Sequence, residues 1–185
     1  MGGTVTGRLK CAMIFALSVY SLAVTAGASA TPANDRCILP SGLGEEISRK
    51  YPGTRPVRLA DLSEDDRNFF RKDHGTQCPG LVSVDFYGDG KPTWALVLIA
   101  RQGPRRQVEL VVARKAGEAW AIRTLDTAGE AVPVVWKQGP GEYDDVYGNK
   151  KIRATRSVVV LCGYESWAIL CAWTGKEVEK IWIAD

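Results

Sequence analysis

His74 is the only histidine in the chain, and it stands just ahead of a thiol in His74-Gly75-Thr76-Gln77-Cys78. An imidazole that close could deprotonate Cys78 and make it a nucleophile toward an ester or peptide carbonyl. With one ring available, any Ser-His or Cys-His chemistry depends on His74, and no multi-histidine metal site can form. A second set is acidic: Glu142, Asp144 and Asp145 crowd a Gly-Pro-Gly segment beside Tyr143 and Tyr147. Paired carboxylates next to aromatic platforms suit glycoside hydrolysis, one protonating the leaving group while the other attacks or activates water. The serine of Gly163-Tyr164-Glu165-Ser166-Trp167 does not make a nucleophile elbow, because Tyr164 and Ala168 stand where that turn needs glycine.

Each set also has a structural use that needs fewer assumptions. Neighbouring acids on a turn form a solvated loop unless another acid faces them across a cleft. That loop is still the best recognition surface in the sequence, since tyrosine supplies large contact area at low entropic cost. Glu142, Tyr143, Asp144, Asp145 and Tyr147, with the nearby Trp136, are the expected binding residues. Most of the six tryptophans lie in apolar alternation and should face the core, with Trp136 and Trp167, next to turn residues, exposed. Arg101, Arg105 and Arg106 around Gly103-Pro104 read as a solvated hairpin tip.

Residues 1–30 have the order of a secretory signal, with Arg8 and Lys10, an apolar run from Cys11 through Val24, and Ala28-Ser29-Ala30. Cleavage is expected before Thr31, leaving no transmembrane segment and a periplasmic or secreted protein. The formal charge of +3 falls close to neutral without Arg8 and Lys10, which gives no bulk electrostatic reason to bind nucleic acid. In an oxidising compartment, Cys37, Cys78, Cys162 and Cys171 are most simply two disulfides. Three connectivities are open, of which Cys37 with Cys78 and Cys162 with Cys171 is favoured. The latter two lie on apolar runs joined by a short turn, and the former would tie an N-terminal arm to the body.

Residues 31–185 are expected to form a single domain. Residues 31–56 read as an arm with a short helical candidate near Gly44 to Tyr51. Residues 57–78 read as a helical segment in which Ser63 caps a first turn of Glu64, Asp65 and Asp66, and Gly75 follows a basic last turn. From residue 79 the pattern turns to β. Runs at 81–86, 94–99, 108–113, 120–125, 132–136, 157–162, 167–173 and 178–183 are joined mostly by turns too short for parallel crossovers. The expected fold is α+β, one or two short N-terminal helices followed by a curved, mostly antiparallel sheet of about eight strands built from hairpins. The triplet Trp-Ala-apolar at Trp94, Trp120 and Trp167 opens the second strand of three hairpins at unequal spacing, which excludes a fixed-period repeat.

The stretch from Val84 through Leu96, with Asp85 and Gly88-Asp89-Gly90, resembles the D-x-x-G-D-G segment of FG-GAP or VCBS-type repeats of exported bacterial proteins. The resemblance implies a small secreted protein and carries no reaction with it. Members of that family often bind calcium through several aspartates, whereas Tyr87 and Thr93 occupy ligand positions here. The EF-hand loop fails too, at Tyr87 and Leu96. A tight hairpin at Gly88-Asp89-Gly90 is expected, with no metal and no cofactor.

These observations point to an exported, non-enzymatic interaction module with a protein or glycan partner in the cell envelope or outside the cell. An inhibitor or immunity-type envelope protein fits that size and compartment. The alternative is a small envelope hydrolase using Glu142, Asp144 and Asp145, or Cys78 with His74.

Overall fold

A computed structural model of the chain describes residues 37–100, 107–129 and 131–185. The signal-like segment and the arginine turn at residues 101–106 lie outside the described residues. Helix α1 spans Leu43–Lys50 and buries Leu43 and Ile47, the apolar positions one turn apart. Helix α2, Glu64–His74, has the expected ends. The Ser63 hydroxyl accepts from the Asp66 amide at 3.1 Å, and Gly75 ends the helix at φ 63°.

The body is antiparallel β. Its strands are β1 Thr54–Pro56, β2 Leu81–Val84, β3 Thr93–Ala100, β4 Val108–Ala116, β5 Ala119–Ala128, β6 Val134–Gln138, β7 Gly141–Asp144, β8 Lys151–Ala154, β9 Val158–Gly163, β10 Trp167–Trp173 and β11 Val178–Ala184. Each of the eight expected runs contains a strand, although residues 85–86, 132–133 and 157 lie outside them. The described residues also hold β1, β7 and β8, and the strands divide into three sheets where a single curved one was expected. One sheet runs β1-β3-β4-β5 with β2 also on β3, a second runs β11-β10-β9-β6, and β7 pairs with β8. Residues 54–56, read as arm, pair with Leu98, Ile99 and Ala100 as an edge segment. The hairpin at Gly88-Asp89-Gly90 is not tight: its loop takes residues 85–92.

Strands β3 and β4 of the first sheet are buried on both faces. Ala95, Val97, Ile99, Val108, Leu110 and Val112 join the main core with residues of the second sheet. Leu96, Leu98, Val111 and Ala113 point the other way, under Leu43 and Ile47 of α1. This is why β3 and β4 read as continuous apolar runs. The two larger sheets join where the buried Val135 amide of β6 donates to Pro79 O, 2.8 Å, just before β2. Followed in order, β5-β4-β3-β2-β6-β9-β10-β11 is a ring of neighbouring strands with a seam between β5 and β11. No helix among the described residues is long and apolar enough to cross a membrane.

Cys37 and Cys78 form a disulfide with Cα atoms 4.9 Å apart. The expected Cys162–Cys171 bond is not made, because Cys171 is a buried free thiol. In the β9–β10 register Cys162 faces Ala168 and Cys171 faces Val159. The odd offset between the two cysteines turns their side chains to opposite faces of the sheet.

Candidate functional site

The two strands that flank the seam are both edge strands, and each carries a β-bulge. In β5, Thr124 pairs with Val111 and Asp126 with Leu110, so Leu125 is the extra residue. In β11, Trp182 pairs with Ile169 and Ala184 with Ala168, so Ile183 is the extra residue. Bulges bend an edge strand and re-aim its side chains, which is why they gather at rims and binding sites. Between them lies a groove of about 420 Å³, with Asp126, Thr127 and Ala128 on one wall, Lys180 and Trp182 on the other, and Leu161 and Trp167 also lining it.

Lys180 crosses this groove. Its Nζ donates to Leu125 O at 3.4 Å and to Asp126 Oδ2 at 3.2 Å. The carbonyl it reaches belongs to the bulged residue. The Asp126 side chain is 18% exposed and that of Lys180 44%, so the pair is partly screened and contributes at most about 1 kcal/mol. Trp167 and Trp182 meet edge to face, ring centroids 6.2 Å apart.

The β7–β8 hairpin abuts the same rim. The Val146 amide donates to Trp182 O at 2.9 Å. The Tyr147 hydroxyl donates to Asp185 Oδ2 at 2.5 Å, and that bond holds the phenol above its ordinary pKa. Val146, Tyr147 and Trp182 are 46%, 54% and 39% exposed, and Ile38 is the one other large apolar side chain this exposed among the described residues. Three of these four side chains therefore converge on one rim.

Of the expected binding residues, only Tyr147 reaches that rim. Glu142, Tyr143 and Asp144 are not in an open loop but in β7, paired with Arg153, Ile152 and Lys151. Asp144 and Glu142 turn to their own hairpin, with Lys151 Nζ 3.3 Å from Asp144 Oδ1 and Arg153 Nε 3.8 Å from Glu142 Oε1. Tyr143 is half-buried and donates to Gly139 O at 2.5 Å, and burial raises its pKa. Asp145 Oδ1 accepts the Tyr147 amide. Trp136 is half-buried three strand positions from β11, its ring tilted against that of His74. Trp167 is half-buried too, and the exposed tryptophan is Trp182, one of those expected to face the core.

The Cys78–His74 pair is dismantled. Cys78 Sγ is bonded to Cys37, so it is no nucleophile. His74 is held between Phe70 and Trp136, ring centroids 4.9 and 5.1 Å away, and burial lowers its pKa against the smaller opposing pull of Asp73. The unfolded chain therefore takes up this proton first as pH falls. The stability from neutral His74 is complete above the unfolded value of 6.5 and declines as pH drops below it, levelling off once the folded ring also protonates. Replacing His74 with leucine should flatten the melting temperature profile between pH 7 and 5; a profile as steep as that of the parent would assign the slope to other groups.

The Gly88-Asp89-Gly90 loop spends its carboxylates on its own amides and on Arg114 of β4. Asp85 Oδ2 accepts from the Gly90 amide at 3.3 Å and Asp89 Oδ1 from the Lys91 amide at 3.1 Å, while Asp89 Oδ2 pairs with Arg114. The Arg114 guanidinium lies 4.2 Å from the Tyr87 ring centroid, and Arg156 donates to Tyr87 O at 2.7 Å. Gly88, at φ 68°, lets Arg156 in: a Cβ there would fall 2.2 Å from the arginine Cδ. Among the described residues no cluster of three or more side chains could hold a metal ion.

The groove was not visible from sequence because Leu125 and Lys180 are 55 residues apart, and neither carries a motif. The bulges that aim its walls have no glycine to mark them. No family model matches this chain, and neither does any curated protein or solved structure.

Proposed function

We propose that the chain is an exported, non-catalytic binding module that docks a protein partner on the rim formed by Val146, Tyr147 and Trp182, above the β5–β11 groove. The observation that carries this reading is the gathering of those three exposed apolar side chains at one place. Tryptophan and tyrosine are the usual anchors of protein interfaces. Around them stand the ion pairs Lys150–Glu179, Lys151–Asp144 and Lys180–Asp126, the polar rim that such interfaces have. The signal-like N-terminus and the Cys37–Cys78 disulfide support export. So does the resemblance of the stretch from Val84 through Leu96 to repeats of exported bacterial proteins. An inhibitor or immunity-type protein would present such a face. The hydrolase alternative has no comparable observation in its favour, since Glu142 and Asp144 are paired within one hairpin, Asp145 accepts the Tyr147 amide, and the Cys78 thiol is oxidised.

The test is quantitative capture from envelope extract on immobilised parent and on a Val146→Asp, Tyr147→Ala variant with the same melting temperature. A protein bound stoichiometrically by the parent should bind the variant roughly thirtyfold more weakly, the loss of about 2 kcal/mol expected for an interface anchor. Equal retention on both would overturn the rim assignment, and retention of glycan instead of protein would overturn the partner class.

A further inference from the structure

The ring of strands is closed by backbone ladders along most of its course and has two joints between its larger sheets. At the first, the buried Val135 amide meets Pro79 O. At the second, no ladder joins β5 to β11 among the described residues, and Lys180 reaches over with its half-exposed ammonium. The neighbouring ladders are weakened by the bulges at Leu125 and Ile183, each leaving a residue out of register. Directly across β10–β11 from Lys180 is Cys171, fully buried.

We propose that Lys180 is a strap that gates this seam: when its ammonium leaves Leu125 O and Asp126, β5 parts from β11, the groove opens, and Cys171 becomes reachable from solvent. The geometry of weak closure supplies the argument. Proteins open first where apolar contact is sparse and the hydrogen bonds face water, and the seam has a solvent-facing side-chain bond where its neighbours have ladders. As a control on the groove, this inference rests on the reading of that rim as the docking face. A partner side chain entering the groove would bind the opened form better and so shift the population toward it.

Cys171 reports on the opening. Its thiol pKa is pushed up to about 12, by burial first and by Asp126 second, so in the closed form it is nearly inert. The experiment is native-state labelling of the full chain with a small maleimide, read at the Cys171 peptide by mass spectrometry. The variants are Lys180→Met, which keeps the stem and loses the bond, Lys180→Arg, which keeps a donor, and Lys50→Met. Lys50 caps a different carbonyl of β5, Ile122 O at 2.5 Å, and so controls for loss of any lysine on that strand. Lys180→Met should label about fivefold faster than the parent, with Lys180→Arg and Lys50→Met near the parent rate. Added salt should speed labelling in the parent and not in Lys180→Met. If Lys180→Met does not fold, Asp126→Asn is expected to give the same acceleration. Equal rates in parent and Lys180→Met, or labelling that only follows global unfolding in urea, would overturn the strap. No partner is present in this experiment, so its failure is separate from a failure of the docking face, which the Val146→Asp, Tyr147→Ala capture decides.

Discussion

Replacing Cys37 and Cys78 together by alanine is expected to destabilise the protein by about 4 kcal/mol, the chain-entropy value for a bond that closes a sequence separation of 41 residues. For a chain of this size that corresponds to a fall in melting temperature of about 8–16 °C. The bond links the residues leading into α1 to the start of β2. The cluster it serves contains Leu43 and Ile47 of α1 against Leu81, Leu96 and Leu98 of the sheet. Without the bond, a helix of only 8 residues must hold its place by that apolar face alone. Amide exchange in α1 should therefore rise more than in β9 or β10, whose ladders lie in the other sheet. Equilibrium denaturation of the double variant checks the size of the effect. A loss below about 1 kcal/mol would mean that the unfolded chain already keeps this region compact.

What could be read from the sequence is what local rules encode. The cap at Ser63, the acids of the first turn and the stop at Gly75 lie within one helix, and α2 begins and ends where they say. The β2–β3, β4–β5, β9–β10 and β10–β11 pairings join neighbours in sequence and follow from alternation and turn residues. β1 was missed because three residues ending in proline carry no periodicity, and its pairing with β3 depends on distant residues. β8 does alternate, Lys151 and Arg153 outward with Ile152 and Ala154 buried, but its partner β7 looks like a polar loop until the hairpin forms. Proximity across the β9–β10 turn suggested a Cys162–Cys171 bond, whereas the register decides which side of the sheet each thiol faces. The groove is a property of two edges meeting, and neither edge strand announces the other. Tyr147 is exposed, and the polar loop in which the sequence placed it is the turn of the β7–β8 hairpin.

Gly80→Ala is expected to cost about 1–5 kcal/mol, although simple backbone entropy predicts the opposite sign. Gly80 is buried and its φ lies outside the left-handed region, so alanine suits its conformation and would restrict the unfolded chain, a gain of about 0.4–1 kcal/mol. Contact decides otherwise. A Cβ at Gly80 would sit 2.5 Å from both Val57 N and Val57 O and 2.9 Å from Val57 Cα. These are backbone atoms and cannot rotate aside. They are also tied down, because the Val57 amide donates to Val97 O at 2.9 Å while the Val97 amide donates to Gly80 O at 3.0 Å. β1 and β2 thus lie end to end along the same edge of β3, and Gly80 is where their backbones touch. Alanine must push one of them off Val97, adding an overpacking cost of about 1–3 kcal/mol to a lost buried hydrogen bond of about 1–3 kcal/mol. Gly139 has open space around its Cβ position and no left-handed φ, so Gly139→Ala isolates the entropic part and should be neutral or slightly stabilising. Urea denaturation of both variants gives the comparison, and a Gly80→Ala protein as stable as the parent would mean that β1 can leave β3 without cost. Because Pro79 O accepts from Val135 of the second sheet, the same displacement should also loosen the buried joint between the sheets. Amide exchange at Val135 ought then to accelerate in Gly80→Ala and stay at the parent rate in Gly139→Ala.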